Sequence, residues 1–171
     1  MIFYPDYYCD RVTDITIDLL KENQIKGIIL DVDNTLIDFD RNLLQGAKDW
    51  VQKMKENEIK CMILSNSNQV QKVKNVAEML EIPYLYLATK PLKRGFRKAK
   101  QQLGLESQNI AVVGDQIFTD VMGANRSKMY SILVNPIAKK DIWITKLKRP
   151  MEEWIVKSYV NQQNKRKKKE E

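Results

Sequence analysis

The chain has 171 residues, 43% of them hydrophobic, with a formal net charge of +7 and no histidine. Its length suits one domain with a proper core and its apolar content excludes general disorder, while the missing histidine excludes Ser-His-Asp and Cys-His catalysis and His-ligated zinc. The positive balance favours phosphate-rich partners, whether nucleic acid, anionic membrane or a phosphorylated small molecule.

In chain order, residues 28–30 form a short apolar run that ends at Asp31 and predicts a strand. Ala47, Trp50, Val51 and Met54 then recur at helical spacing. Residues 59–64 predict a second strand, Val70, Val73, Val76, Ala77 and Leu80 a second helix, and residues 84–88 a third strand. Leu92, Phe96, Ala99 and Leu103 mark a further helix that stops at Gly104. Residues 110–113 and 130–134 complete the strands. Apolar strands alternating with amphipathic helices imply an α/β fold, a Rossmann-like doubly wound parallel sheet with ligands bound beyond the carboxyl ends of its strands.

The residues just past each strand are therefore informative. Asp31-Val32-Asp33-Asn34-Thr35 comes after the first, Ser65-Asn66-Ser67 after the second, Thr89-Lys90-Pro91 after the third, and Gly114-Asp115-Gln116 after the fourth, with Thr119-Asp120 close behind. Asp31, Asp33 and Asp115 brought to one edge would repel each other unless a cation sat among them. Oxygen ligands without histidine favour a hard ion, and Mg²⁺ fits best. The Ser65 hydroxyl, the Asn66 backbone amide and the Lys90 ammonium suit a phosphoryl group beside that ion. One carboxylate can act as nucleophile and a second can protonate the leaving oxygen and then activate water. Lys93 is a neighbour that could take the part of Lys90, which is preferred because it comes directly after the strand. Asp38 and Asp40 read as solvated loop residues and Arg126 as a surface helix residue.

Asp31 to Leu36, Ser65-Asn66, Lys90, and Gly114-Asp115 through Thr119-Asp120 resemble, in order, the four motifs of haloacid dehalogenase-like (HAD) phosphatases. The resemblance implies Asp31 as nucleophile and Asp33 as general acid/base. It implies Mg²⁺ on Asp31, the Asp33 backbone carbonyl and Asp115, with the phosphoryl group on Ser65, Asn66 and Lys90. Asp120 would orient the metal site or Lys90, and Thr35 would support the first loop. An aspartate at position 33 favours a phosphatase or phosphomutase over the dehalogenases and ion pumps of the superfamily. The short connections from Asp33 to Ser65 and from Ser65 to Lys90 leave no room for a cap domain, so the HAD-like core should be open to bulky substrates. The details are similar to the YqeG-type subgroup of subclass IIIA, which resembles phosphatidylglycerophosphate phosphatases. That likeness implies an anionic lipid headgroup as substrate.

The flanks bear on the same question. Residues 142–159 combine Trp143, Trp154 and Tyr159 with Lys146, Lys148, Arg149 and Lys157, and the N-terminus carries Phe3, Tyr4, Tyr7 and Tyr8. Such segments suit peripheral contact with an anionic membrane, or pack on the core. No apolar run reaches the roughly 18 residues of a membrane span, and no basic segment near Met1 leads into one. Two isolated cysteines, Cys9 and Cys61, support neither a disulfide framework nor a zinc site, so a cytoplasmic location is expected. The expected organisation is a single domain over 1–164 with amphipathic flanks and a charged tail over 165–171. Alternatives are a soluble phosphatase of nucleotides, sugar phosphates or phosphoproteins, and a basic nucleic-acid-binding module with an idle site.

Overall fold

The computed structural model describes residues 2–137 and 153–161. A six-stranded sheet runs in the order β1-β6-β5-β2-β3-β4, with every neighbouring pair parallel. Its central strands, β2 (Gly27–Leu30), β3 (Lys60–Leu64), β5 (Ile110–Gly114) and β6 (Tyr130–Val134), are the apolar runs predicted from the sequence. Strands buried on both faces need continuous apolar sequence, which is why these were legible.

Alternate residues supply two cores. Ile28, Leu30, Cys61, Ile63, Ala111 and Val113 face one side with Trp50 and Met54 of α2 (Ala47–Glu56) and Val73, Val76 and Leu80 of α3 (Val70–Leu80). Ile29, Met62, Leu64 and Val112 face the other with Phe96, Ala99 and Leu103 of α4 (Lys93–Leu103). Helices thus cover both faces, as a parallel sheet made of apolar strands requires. Trp50 also donates its indole N–H to the Ile15 carbonyl at 2.9 Å, so that its buried polar edge is satisfied. Gly104 ends α4 in the left-handed conformation at φ 67, where only glycine is free of a Cβ penalty.

The structure departs from the sequence reading at several elements. Edge strand β1 (Tyr7–Cys9) was not foreseen, nor were the short helices α1 (Ile17–Glu22) and α5 (Met122–Arg126). Strand β4 spans only Tyr84–Leu85 rather than 84–88, because Leu87 and Thr89 turn the chain through positive φ values of 49 and 57. Of the N-terminal aromatics, Tyr7 packs against the first core. Phe3, Tyr4 and Tyr8 pack on Ile117, Val121, Leu133 and Ile155, with Phe3 edge-on to Phe118 at 5.6 Å and Tyr4 edge-on to Tyr159 at 6.1 Å. These rings serve a core rather than a free surface. The helix over 153–161 takes part in that packing, while 142–152 and the tail from 165 lie outside the described residues.

The crossovers from β2 to β3 and from β3 to β4 each contain one helix, α2 and α3, with no inserted cap. Ahead of α2 the chain makes only small bridges, Asp33 with Ile37 and Ile37 with Leu43. The carboxyl edge of the sheet is left uncapped by these segments.

Candidate active site

Parallel register aligns the strand ends, so the polar residues after β2, β3 and β5 meet at one edge. Asp31 leaves β2 still bound to the sheet, its N–H donating to the Val113 carbonyl at 2.9 Å. The chain then turns tightly, with the amides of Thr35, Leu36 and Ile37 all reaching the Val32 carbonyl at 3.0–3.3 Å. Asn34 accommodates this turn in the left-handed region at φ 60, a conformation asparagine tolerates better than most residues.

Lys90 is the hub. Its side chain is only 2% exposed, and its ammonium donates to Asp31 Oδ1 at 2.7 Å and to Asp120 Oδ1 at 2.6 Å. The Asn66 side chain clasps the Lys90 backbone from both sides: Oδ1 accepts the Lys90 N–H at 2.7 Å and Nδ2 donates to its carbonyl at 3.0 Å. Lys93, by contrast, is exposed. Asp120 stands on a π-helical turn (Ile117–Val121), and its Oδ2 accepts the Gln116 N–H at 3.2 Å. A Cβ on Gly114 would lie 2.2 Å from that carboxyl group, so glycine is required for Asp120 to reach Lys90. Ser65 is buried, its Oγ accepting the Ser67 N–H at 3.1 Å.

Asp31, Asp115 and Asp120 each bring a carboxylate oxygen within 4.8 Å of the others. Burial pushes the Asp31 carboxyl up to about 6; the neighbouring Asp120 and Asp33 charges add to this and Lys90 opposes it. Burial, with the Asp31 and Asp120 charges, likewise holds Asp115 well above the usual carboxylate range. For Lys90, burial works against the charge, but Asp120 and Asp31 outweigh it and the ammonium is firmly held. The buried oxygens Asp115 Oδ1, Thr35 Oγ1 and Asn34 Oδ1 have no hydrogen-bond partner among the described residues. Of these, Asp115 belongs to the carboxylate cluster with Asp31 and Asp120, and such a set of oxygens fits the chemistry of a hard divalent cation.

Asp33 is half-exposed, its side chain 47% accessible, in an ion pair with Lys72 of α3 at 2.6 Å. Sequence reasoning missed Lys72, whose only signal was its place in the first turn of a helix starting at the carboxyl edge. Missed too was the Asn66 side-chain clasp, since that residue was read for its backbone amide. Asp38 accepts the N–H groups of Asp40 and Asn42 at 2.9 Å, and Asp40 and Arg126 are exposed, in keeping with loop and surface helix positions. Asp31, Lys90 and Asp120 thus form one buried ionic array, and the charge of half-exposed Asp33 is felt at Asp31.

Comparison with known proteins sets this geometry among its relatives. The family model described as mitochondrial PGP phosphatase matches residues 1–138. The probable phosphatase YqeG of Bacillus subtilis (strain 168) is 41% identical over 155 residues, 90% of each chain. Among solved structures, the cobalt-bound deoxy-D-mannose-octulosonate 8-phosphate phosphatase (YrbI) of Haemophilus influenzae aligns with TM-score 0.55 at 15% identity, over 82% of this chain and 92% of that one. An uncharacterized protein from Listeria monocytogenes serotype 4b aligns with TM-score 0.57 at 20% identity, over 69% and 85%. At those identities the solved structures attest the fold alone.

Proposed function

Because this chain belongs to the PGP phosphatase family, a group of HAD-type phosphatases, we propose that it is a Mg²⁺-dependent phosphatase acting through an aspartyl-phosphate on Asp31. Its proposed substrate is phosphatidylglycerophosphate, met at the inner face of the cytoplasmic membrane. The observation that carries the chemistry is the buried Asp31–Lys90–Asp120 array beside Asp115. The family supports the lipid, and the uncapped edge is compatible with a headgroup still in its bilayer. The contact proposed is peripheral; among the described residues no helix is long and apolar enough to cross a membrane.

In this reading an Asp31 carboxylate oxygen attacks phosphorus while the bond to the leaving oxygen breaks. Asp33 gives that oxygen a proton. Water then attacks the phosphoryl group, Asp33 takes the water's proton, and the bond to Asp31 breaks to release phosphate. Lys90, Ser65 and the Asn66 amide hold the phosphoryl oxygens, and Thr35 supports the first loop. Asp31, the Asp33 carbonyl and Asp115 would hold Mg²⁺, with Asp120 orienting Lys90. The ion supplies positive charge against the phosphoryl oxygens as the transfer proceeds. The unsatisfied Asp115 oxygen fits that assignment.

The decisive assay is phosphate release from phosphatidylglycerophosphate in mixed micelles, with the Asp31→Asn protein as blank. Release that disappears with a chelator and exceeds the rate on soluble esters is the expected result. Turnover of soluble esters with none of the lipid would keep the chemistry and discard the lipid.

A second expectation concerns stability. Asp31 has an ordinary value of 3.8 and a folded value of about 6. Between those values the folded state binds a proton that the unfolded chain does not, so stability falls as pH rises through the window. The metal-free protein should therefore melt at higher temperature at pH 5 than at pH 7.5. Mg²⁺ should raise the melting temperature at pH 7.5 and much less at pH 5, where the carboxyls carry protons. Thermal unfolding at the two pH values, with and without Mg²⁺, measures this; a melting temperature indifferent to Mg²⁺ at pH 7.5 would refute it.

A further inference from the structure

Lys72 is the ion-pair partner of Asp33, the residue proposed to serve the leaving oxygen. Its Nζ stands 2.6 Å from Asp33 Oδ1, with the Lys72 side chain only 12% exposed and that of Asp33 47%. The ammonium is sheltered and the carboxylate is half-exposed. A leaving oxygen hydrogen-bonded to Asp33 would sit within about 5 Å of that ammonium, two hydrogen-bond lengths away.

We infer that Lys72 is a specificity-determining residue that exchanges Asp33 for a second anionic group, a phosphate carried by the leaving group. The inference rests on the phosphatase reading proposed for Asp31 and names the substrate class further: a monoester whose leaving alcohol bears another phosphate a few bonds away. Three observations carry it. The Asp33 side of the pair is 47% exposed, so solvent screens it there and a charge-assisted bond to phosphate can replace it. Lys72 lies three residues after Gln69, the N-cap of α3, and residues so spaced share a helical face. Arg41 donates to Gln69 Oε1 at 3.0 Å, which brings a second cation to the same rim. A leaving alcohol without a second phosphate offers neither cation an anion to exchange for the partner it holds, whereas a second phosphate engages Lys72 and frees the Asp33 side chain to serve the leaving oxygen.

The test is steady-state kinetics of the full chain with Mg²⁺ on three soluble probes. Glycerol 3-phosphate has one phosphate. Glycerophosphoglycerol phosphate, the deacylated headgroup, has a monoester and a diester, and a sugar bisphosphate has two monoesters. Wild type should prefer a two-phosphate probe. Lys72→Met should lose about tenfold or more of that preference in kcat/KM, chiefly through KM, as expected for a lost bond to a charged group. Lys72→Arg should recover most of it. An equal loss on one- and two-phosphate probes would make Lys72 a general positioning residue and overturn the inference, as would an unchanged preference. If the sugar bisphosphate is preferred and Lys72→Met abolishes that preference, the subsite stands and the lipid substrate falls. If the headgroup probe is preferred equally by wild type and Lys72→Met, the lipid stands and the subsite falls.

Discussion

Replacing Asp31 with Asn should lower turnover of any phosphate ester by at least about 10⁴-fold and leave no phosphorylated protein, because a carboxamide oxygen cannot form the acyl phosphate. The substitution is nearly isosteric, and its remaining carbonyl oxygen can still accept the bond that Lys90 makes at 2.7 Å. It also removes a charge that burial disfavours. Asp31→Asn should therefore fold as well as the parent, and in the absence of Mg²⁺ at pH 7.5 it should be the more stable of the two. That combination separates a chemical role from a structural one. Stopping the reaction with acid at short times and weighing the intact protein should reveal a phosphorylated form only when Asp31 is present. A variant within tenfold of wild-type turnover would remove Asp31 as the nucleophile.

The second large effect falls on Lys90. Replacing it with Met leaves Asp31 and Asp120 buried without their shared cation. Deleting one member of a buried ionic array costs on the order of 3–5 kcal/mol, because the remaining charges lose their compensation. At pH 7.5 without Mg²⁺, Lys90→Met should lose about this much stability in urea unfolding. At pH 5 the loss should shrink, since carboxyls that can take up protons no longer need the ammonium. Lys90→Arg should not restore the parent, because the larger planar guanidinium must fit a space where the lysine side chain is only 2% exposed. Activity should fall by about 10²–10³-fold, the scale for loss of one preorganised donor. Full stability of Lys90→Met at pH 7.5 would show that the array is not the keystone it resembles.

The charge pattern explains how these expectations connect. Asp31, Asp33, Asp115 and Asp120 gather at one edge with only Lys90 and Lys72 paired to them among the described residues. That local excess of negative charge in a basic chain of net +7 is unfavourable by itself and becomes favourable with a dication and a phosphoryl group in place.

The positions of β2, β3, β5 and β6, the faces of α2, α3 and α4, and the order of Asp31, Ser65, Lys90 and Asp115 along the chain could be read from the sequence. Each is local: period, apolar run length and the residue just past a strand end are set within a few positions of one another. The three-residue edge strand β1 could not be read, since Tyr7–Cys9 has no periodicity and is ordered by pairing with β6 more than 120 residues later; Tyr7 lies opposite Ile132. The aromatic N-terminus looked amphipathic for the same reason, its packing partners Phe118 and Tyr159 being distant in the chain. Lys90 could be preferred over Lys93 by position, but its bonds to Asp31 and Asp120 arise only when β2, the loop before α4 and the turn after β5 converge. The Lys72–Asp33 pair spans 39 residues and the Asn66 clasp on Lys90 spans 24. A lysine in an amphipathic helix carries no mark of the carboxylate it will meet. Fold class and the arrival of Asp31, Ser65, Lys90 and Asp115 at the carboxyl edge are therefore written in local pattern, whereas Lys72 and the side-chain role of Asn66 are not. Which of those side chains touch, which charges are buried and which oxygens go unsatisfied depend on the packing of segments far apart in the chain, and became visible only once those segments were seen together.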